Sequence, residues 1–148
     1  MIGLWEEIRD LSKSDFDTAA NRLFEIQREQ NPLYRTYATA IGTSQGSGKR
    51  PIIEIPFLPI SFFKDQLLKT GEFEPRAVFE SSGTTGTTPS RHAVRDLAIY
   101  QDQLIRNFER TYGCVSDWCI LALLPSYLER GNSSLVYMVK QLIETGGH

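Results

Sequence analysis

The residues best suited to chemistry stand together at positions 81–88, in the string SSGTTGTT. Two glycines, Gly83 and Gly86, let the backbone turn its N–H groups inward without a Cβ clash. The other six positions carry hydroxyl groups that can donate to phosphate oxygens: Ser81, Ser82, Thr84, Thr85, Thr87 and Thr88. The pattern predicts an anion-binding loop, and three or four charge-assisted hydrogen bonds of about 1.5–3 kcal/mol each would support millimolar-to-micromolar nucleotide binding.

The neighbouring elements favour a binding site over a flexible linker, which is the usual meaning of a Ser/Thr/Gly run. Residues 77–80 (AVFE) predict a short strand that leads into the loop. A helix is expected to begin near Ala93 and to continue through Leu97 and Leu104, which lie on one helical face, to Gly113. The N-terminal dipole of that helix is expected to face the loop.

The string SSGTTG resembles the phosphate-loop signature of the adenylate-forming superfamily, which includes acyl-coenzyme A synthetases, peptide-synthetase adenylation domains and luciferases. Three further segments are similar to its acyl-protein synthetase branch, the LuxE-type or long-chain-fatty-acid–luciferin-component ligases. They are residues 55–64 (IPFLPISFFK), residues 90–92 (SRH) and residues 124–130 (LPSYLER). The resemblance is clearest from about position 51 to 138 and covers only the N-terminal part of such an enzyme.

The resemblance implies site residues and one departure from the family pattern. Thr84, Thr85 and Arg91 are implied to be catalytic, and His92 joins the residues of positions 81–88 in nucleotide binding. The superfamily usually closes its loop with Pro-Lys, whereas residues 87–91 read TTPSR. Arg91 could supply the missing positive charge, because a guanidinium suits phosphate geometry. His92 is open to a second interpretation, as a surface residue that caps the following helix.

The implied reaction is ATP-dependent acyl activation. A fatty carboxylate attacks the α-phosphate of ATP, with Mg²⁺ bridging the phosphates, and the acyl group then passes to a thiol of a protein or of coenzyme A. Because the attacking group is already an anion, no general base is needed. Two alternatives stay open: a coenzyme A ligase of the phenylacetate type, and a non-catalytic oligomerising or interaction domain.

The remaining chain predicts an α/β fold. Helices are expected from Asp15 (or Ser14) to the Asn31–Pro32 junction, from Leu33 to Ile41, and from Ser61 to about Lys69. The apolar run at residues 118–124 (WCILALL) predicts a strand buried on both faces of a parallel sheet, and a last helix follows from Leu135. The loop after that run, with Tyr127, Glu129, Arg130 and Asn132, is a candidate for substrate contact.

This order predicts a helical N-terminal lead-in (residues 1–45) and then the start of a mostly parallel sheet flanked by helices (residues 46–148), together an incomplete adenylate-forming domain. Two strands are few for a doubly wound sheet, which usually has about 5–6. We therefore expect residues 1–148 to be the N-terminal portion of a longer enzyme and to be inactive alone. A short protein that completes its sheet as a homo-oligomer is the alternative.

The other sequence patterns give weaker evidence for a functional site. Residues 42–49 (GTSQGSGK) resemble a Walker A loop but break its spacing, so a surface loop is expected. Cys119 is expected to be an inert core thiol, and Cys114 lies at a helix end that disfavours a thiolate. With two histidines and two cysteines at unsuitable spacing, no metal-ligating set is predicted.

The net charge and the hydropathy of the chain argue against a nucleic-acid-binding or a membrane-spanning protein. The formal charge of -2 gives no footprint for nucleic acid, and no stretch reaches the roughly 20 apolar residues of a membrane span. The first residues lack a signal-peptide pattern. The expectation is a cytoplasmic protein with reduced thiols.

Overall fold

The computed structural model describes residues 8–43, 50–81, 88–124 and 131–147. The chain divides into two compact units. The first comprises Met1–Phe62 and Leu68–Glu72, and the second comprises Phe63–Leu67 and Phe73–His148. Each unit has its own small group of buried side chains.

Two consecutive helices form the first unit. Helix α1 spans Phe16–Gln30 and helix α2 spans Pro32–Ala40, as the apolar spacing and the Asn31–Pro32 junction predict. Asn31 ends α1 and begins α2, because its side-chain oxygen accepts from the backbone N–H of Tyr34 at 3.1 Å. Proline follows as the first helical residue of α2, where its missing N–H has no cost.

Phe24 and Tyr34 are at the centre of the first unit. Their rings meet edge to face with centroids 6.0 Å apart, and the Arg50 guanidinium lies 4.6 Å from the Phe24 ring centre. The Asn21 amide both donates to the Arg50 carbonyl and accepts from its N–H, at 3.0 and 2.9 Å. The Tyr34 hydroxyl donates to the Pro56 carbonyl at 2.6 Å. These bonds attach the proline-rich segment to the helix pair.

The proline-rich segment, residues 51–60, leaves much of its apolar surface exposed. Residues Ile52–Glu54 form a 3₁₀ turn, and Ile53, Phe57 and Ile60 are largely exposed. Residues 51–60 include three prolines and form no strand, since proline cannot donate a hydrogen bond to a neighbouring strand. The short helix that follows, α3, spans only Phe62–Asp65 and stops before the predicted Lys69.

The second unit contains a β-hairpin. Strand β1 spans Ala77–Glu80, as predicted, and strand β2 spans Arg91–Val94. The two pair antiparallel, with Ala77 opposite Val94 and Glu80 opposite Arg91. The prediction of a helix beginning near Ala93 is therefore wrong. The helix starts only after Asp96, whose carboxylate accepts from the N–H of Ala98 at 2.8 Å.

Two longer helices pack in this unit. Helix α4 spans Leu97–Tyr112, and helix α5 spans Ser134–Gly146 with Ser133 as its N-cap. The 3₁₀ turn Val115–Asp117 contacts both helices. Phe79, Val115 and Leu142 are the buried hydrophobic side chains of this unit in the described ranges. The unit's core is therefore built from one strand residue, one turn residue and one helix residue.

The predicted buried strand at residues 118–124 is not observed. The segment forms neither helix nor strand, and Leu121 and Leu123 are 92% and 104% exposed. The apolar composition of the run predicts burial on both faces, but no neighbouring strand in the described residues covers it. The only sheet in these residues is antiparallel and two-stranded. Over the described ranges the fold is thus a mixed arrangement of five α-helices and one small sheet, broadly α/β.

Replacing Phe24 tests the core of the first unit. Phe24 is 2% exposed, so we expect Phe24→Ala to lower the free energy of unfolding by about 3 kcal/mol through lost burial and a residual cavity. Phe16→Ala, on the same helix but 56% exposed, should change it by no more than about 0.5 kcal/mol. Urea denaturation followed by circular dichroism measures both, and equal losses would contradict this core. If Phe24→Ala does not fold, Phe24→Leu should still cost about 1 kcal/mol.

Candidate functional site

The ends of the predicted phosphate loop are joined by two hydrogen bonds. The Ser81 N–H donates to the Ser90 carbonyl at 2.9 Å, and the Ser90 N–H donates to the Ser81 hydroxyl oxygen at 2.9 Å. Ser90 is buried, whereas Ser81 and Thr88 are exposed. The predicted site residues Ser82, Gly83, Thr84, Thr85, Gly86 and Thr87 lie outside the described residues. What is defined is the base of the loop, where the chain leaves β1 and enters β2.

A helix N-terminus lies beside this base, but it belongs to α5 and not to the predicted α4. The Glu80 N–H donates to the Asn132 carbonyl at 2.9 Å, and Glu80 forms a parallel bridge with Ser133. Ser133 is the N-cap of α5, since its hydroxyl accepts from the N–H of Val136 at 3.4 Å. The first turn of a helix carries a partial positive charge, so α5 brings that charge next to the last residue of β1.

An aromatic cluster holds α5 and α4 against β1. The ring centres of Phe79, Tyr100 and Tyr137 lie 5.2, 5.4 and 5.8 Å from one another. Burial raises the pKa of Tyr100 above its usual value of 10, and the nearby side chain of Ser134, the first residue of α5, partly opposes that rise. This cluster fixes the start of α5 relative to the strand that leads into the loop.

The sequence did not identify this cluster as part of the site. Tyr100 is recognisable as an apolar-face residue of a helix, but the residues it contacts come from two other elements. A helical spacing shows which face of a helix is buried, and not which strand or helix covers that face.

Arg91 and His92 do not share a face of the hairpin. Successive strand residues point to opposite sides, so Arg91 lies with its cross-strand partner Glu80, and His92 lies with Phe79. The His92 ring stacks on Phe63, with centroids 4.7 Å apart and an interplanar angle of 23°. His92 therefore belongs to a strand, and the interpretation that it caps a helix is wrong. At the base of the loop, Arg91 shares its face with the carboxylate of Glu80.

The remaining candidate residues are distributed elsewhere. Cys119 is exposed, so the prediction of a core thiol is wrong, and Cys114 is exposed with its sulfur 3.1 Å from the Ser116 hydroxyl. Asn132 contributes its backbone carbonyl to Glu80, while Tyr127, Glu129 and Arg130 lie outside the described residues. In the described part of the chain, no three side chains of His, Cys, Asp or Glu come together as a metal site.

Comparisons with known proteins add no assignment: no family model, curated protein or solved structure matches this chain. Of the helices in the described ranges, none is both long enough and apolar enough to cross a membrane.

The bond between Ser90 and the Ser81 hydroxyl gives a direct test of the loop base. Ser81→Ala removes the acceptor of a backbone N–H on a buried residue, so we expect the free energy of unfolding to fall by about 1–2 kcal/mol. Hydrogen–deuterium exchange of the Ser90 amide should accelerate by about tenfold or more, since each 1.4 kcal/mol is a factor of ten. Ser81→Thr keeps the hydroxyl and should retain slow exchange. Equally slow exchange in Ser81→Ala would show that this bond does not hold the loop.

The raised pKa of Tyr100 predicts a loss of stability in alkali. The folded protein holds the phenol proton more tightly than the unfolded chain does, so the stabilisation is present below pH 10 and is lost as the pH rises through the folded pKa. Tyr34 in the first unit has a pKa raised by burial in the same direction. We expect the free energy of unfolding to fall above pH 10, and less steeply in Tyr100→Phe. Urea titrations at pH 8 to 11 measure the slope, and an unchanged slope in the variant would contradict the assignment.

Proposed function

We propose that this chain supplies the phosphate-binding loop of an ATP-dependent acyl-activating ligase of the acyl-protein synthetase type. Such an enzyme forms an acyl-adenylate from a fatty acid and ATP and then passes the acyl group to a thiol. The observation that carries the proposal is the ordered string SSGTTG in the connection between two antiparallel strands, with segments IPFLPISFFK and SRH on either side in the sequence. On this proposal the chain is the N-terminal part of an adenylate-forming domain.

The geometry of the loop base supports an anion site there. Ser81 and Ser90 hold the two ends of the loop together, so fewer conformations are lost when the loop closes on a ligand. The N-terminus of α5 adds a partial positive charge at Ser133, beside β1. The Ser81 oxygen accepts from Ser90, and its O–H remains able to donate to a phosphate oxygen.

Charge at the base of the loop bears on the role of Arg91. Arg91 lies on the same face of the hairpin as the Glu80 carboxylate, its partner across the strands. Opposite charges at directly opposed strand positions attract, so a phosphate that engages Arg91 competes with Glu80. For this reason we propose that the backbone N–H groups and hydroxyls of the loop contribute more to the free energy of phosphate binding than Arg91 does.

The proposed reaction does not need a general acid or a general base from the protein. A carboxylate is the nucleophile and pyrophosphate is the leaving group, so the protein has to position the reactants and neutralise charge. Mg²⁺, when bound, would neutralise the phosphate oxygens. In nucleotide sites Mg²⁺ is commonly held through the substrate phosphates together with one or two carboxylates.

A second candidate, a non-catalytic interaction domain, is favoured by the distribution of hydrophobic side chains. In the described ranges six hydrophobic side chains are buried, whereas eleven large ones are exposed. A chain with so small a core and so much uncovered apolar surface has the properties of an interaction module. The two candidates differ in whether the loop binds phosphates.

Phosphate binding by the 148-residue chain is the measurement that separates them. We expect calorimetric titration with pyrophosphate and with MgATP to give dissociation constants between about 10 µM and a few millimolar. Replacing both Thr84 and Thr85 with alanine should weaken both by about tenfold or more, because each lost charge-assisted bond contributes about 1.5–3 kcal/mol. Thr111→Ala is the matched control, since that hydroxyl donates to the Asn107 carbonyl within α4.

Turnover distinguishes a ligase from a passive anion site. We expect acid-dependent ATP–pyrophosphate exchange to be weak or absent for this chain. In a polypeptide that also supplies the adenine and acyl pockets, the double alanine variant should lower exchange by about 100-fold or more. No binding of either ligand, or equal binding by the double variant, would remove the loop from the site. Strong exchange by this chain alone would contradict the proposal that it is only part of the enzyme.

A further inference from the structure

The stack of His92 on Phe63 joins two segments of the second unit that are far apart in the sequence. The ring centres are 4.7 Å apart and the ring planes differ by 23°, so the two rings lie nearly face to face. Phe63 belongs to α3 and is half-buried, and His92 is the second residue of β2. The stack therefore connects α3 to the strand that follows the loop.

The two strands of the hairpin are held in place differently. Strand β1 carries the buried Phe79, whose ring packs in the aromatic cluster, and its last residue forms a bridge with Ser133. Strand β2 has four residues, none of them buried, and lies at an edge of the sheet. Within the described residues, the stack on Phe63 is the ring-to-ring contact that β2 makes. Because a two-stranded hairpin is marginally stable without side-chain packing, this contact bears on whether β2 stays paired.

We propose that Phe63 and His92 are a positioning pair for the phosphate loop. Their stack holds β2 against β1 and so keeps Ser90 in place for the two hydrogen bonds with Ser81 that join the ends of the loop. His92 acts through Phe63 and makes no bond to the phosphate. The inference rests on the function proposed above, because it assigns how the loop of that site is held.

The position of the His92 ring favours this role over direct contact with an anion. Phe63 covers one face of the imidazole, and an apolar ring supplies neither a hydrogen bond nor a charge to a phosphate. His92 also lies one register step farther from the loop than the pair of Glu80 and Arg91, and its side chain is on the opposite face of the hairpin from that pair. The contact that His92 makes is therefore one of packing.

Hydrogen–deuterium exchange measures whether the stack holds the loop base. Phe63→Ala should accelerate exchange of the Ser81 and Ser90 amides by about 2- to 10-fold, which is the factor that an aromatic pair contributes to an equilibrium constant. His92→Ala should do the same, and the double variant should add little, because either change removes the whole stack. Phe57→Ala, at a position that is 77% exposed, is the matched control and should leave both amides unchanged.

Conservative replacements separate packing from direct contact with the ligand. His92→Phe keeps a flat ring for the stack and removes both nitrogens, so amide exchange should stay slow and the dissociation constant for pyrophosphate should stay within about twofold of wild type. A bond from a charged imidazole to the phosphate would be lost in this variant, and binding would weaken by about tenfold or more. Phe63→Tyr should behave as wild type. If Phe63→Ala does not fold, Phe63→Leu keeps the apolar volume without the flat face and should also accelerate exchange.

The outcomes distinguish this inference from the function on which it rests. No pyrophosphate binding by the wild-type chain would overturn the proposed function, and with it the role of the pair in holding a phosphate loop. Wild-type binding together with unchanged amide exchange in Phe63→Ala would overturn the inference alone. A loss of affinity of about tenfold in His92→Phe, with exchange still slow, would make His92 a phosphate ligand and would also contradict the inference.

Discussion

Most of what is known about the loop depends on the antiparallel pairing of β1 with β2. The pairing places Ser81 beside Ser90, and their two hydrogen bonds hold together the ends of the segment that contains the sequence SSGTTGTT. It also assigns the neighbouring side chains to faces, because strand residues alternate. Phe79 and His92 share the face that carries the aromatic contacts, whereas Glu80 and Arg91 share the other.

The same pairing changes the electrostatics that the sequence predicts. A helix directly after the loop would direct its dipole at a bound anion, as glycine-rich loops do in many nucleotide sites. Here a strand intervenes, and the nearby helix N-terminus is that of α5, brought in by the bridge between Glu80 and Ser133. The positive potential at the loop base therefore depends on a residue far along the chain, and the aromatic cluster of Phe79, Tyr100 and Tyr137 keeps it there.

The helices could be predicted because their signals are local. Apolar spacing and the Asn31–Pro32 junction define α1 and α2, and the bounds observed differ from those predicted by about one residue. Strand β2 was missed because four residues, RHAV, are too few to show an alternation, and its pairing partner β1 is what makes it a strand. The position of α5 beside Glu80 was equally inaccessible, because periodicity says nothing about which elements meet.

At residues 118–124 the sequence predicts a strand that the structure does not contain. Seven apolar residues in a row fit a buried parallel strand, but burial requires a neighbour, and composition does not reveal whether one is present. Only part of the hairpin base can be predicted from the sequence. The sequence predicts β1 and the loop, but it does not predict the hydrogen bonds between Ser81 and Ser90 that join the ends of the loop. The prediction of Cys119 as a core thiol rests on the same apolar run, and its exposure follows because no strand in the described residues covers that run.

The two attachments at the loop base differ in how much chain must be ordered to make them. The Ser81–Ser90 bond joins residues nine positions apart, whereas the Glu80–Asn132 bond closes a segment of about 50 residues, whose closure entropy is greater by about 1.5 kcal/mol. The hairpin is thus a local structure, and the approach of α5 is a long-range one. A partial unfolding that frees α5 would leave the hairpin closed while removing the helix charge from it. On the function proposed above, the affinity of the loop for an anion would report whether α5 is in place.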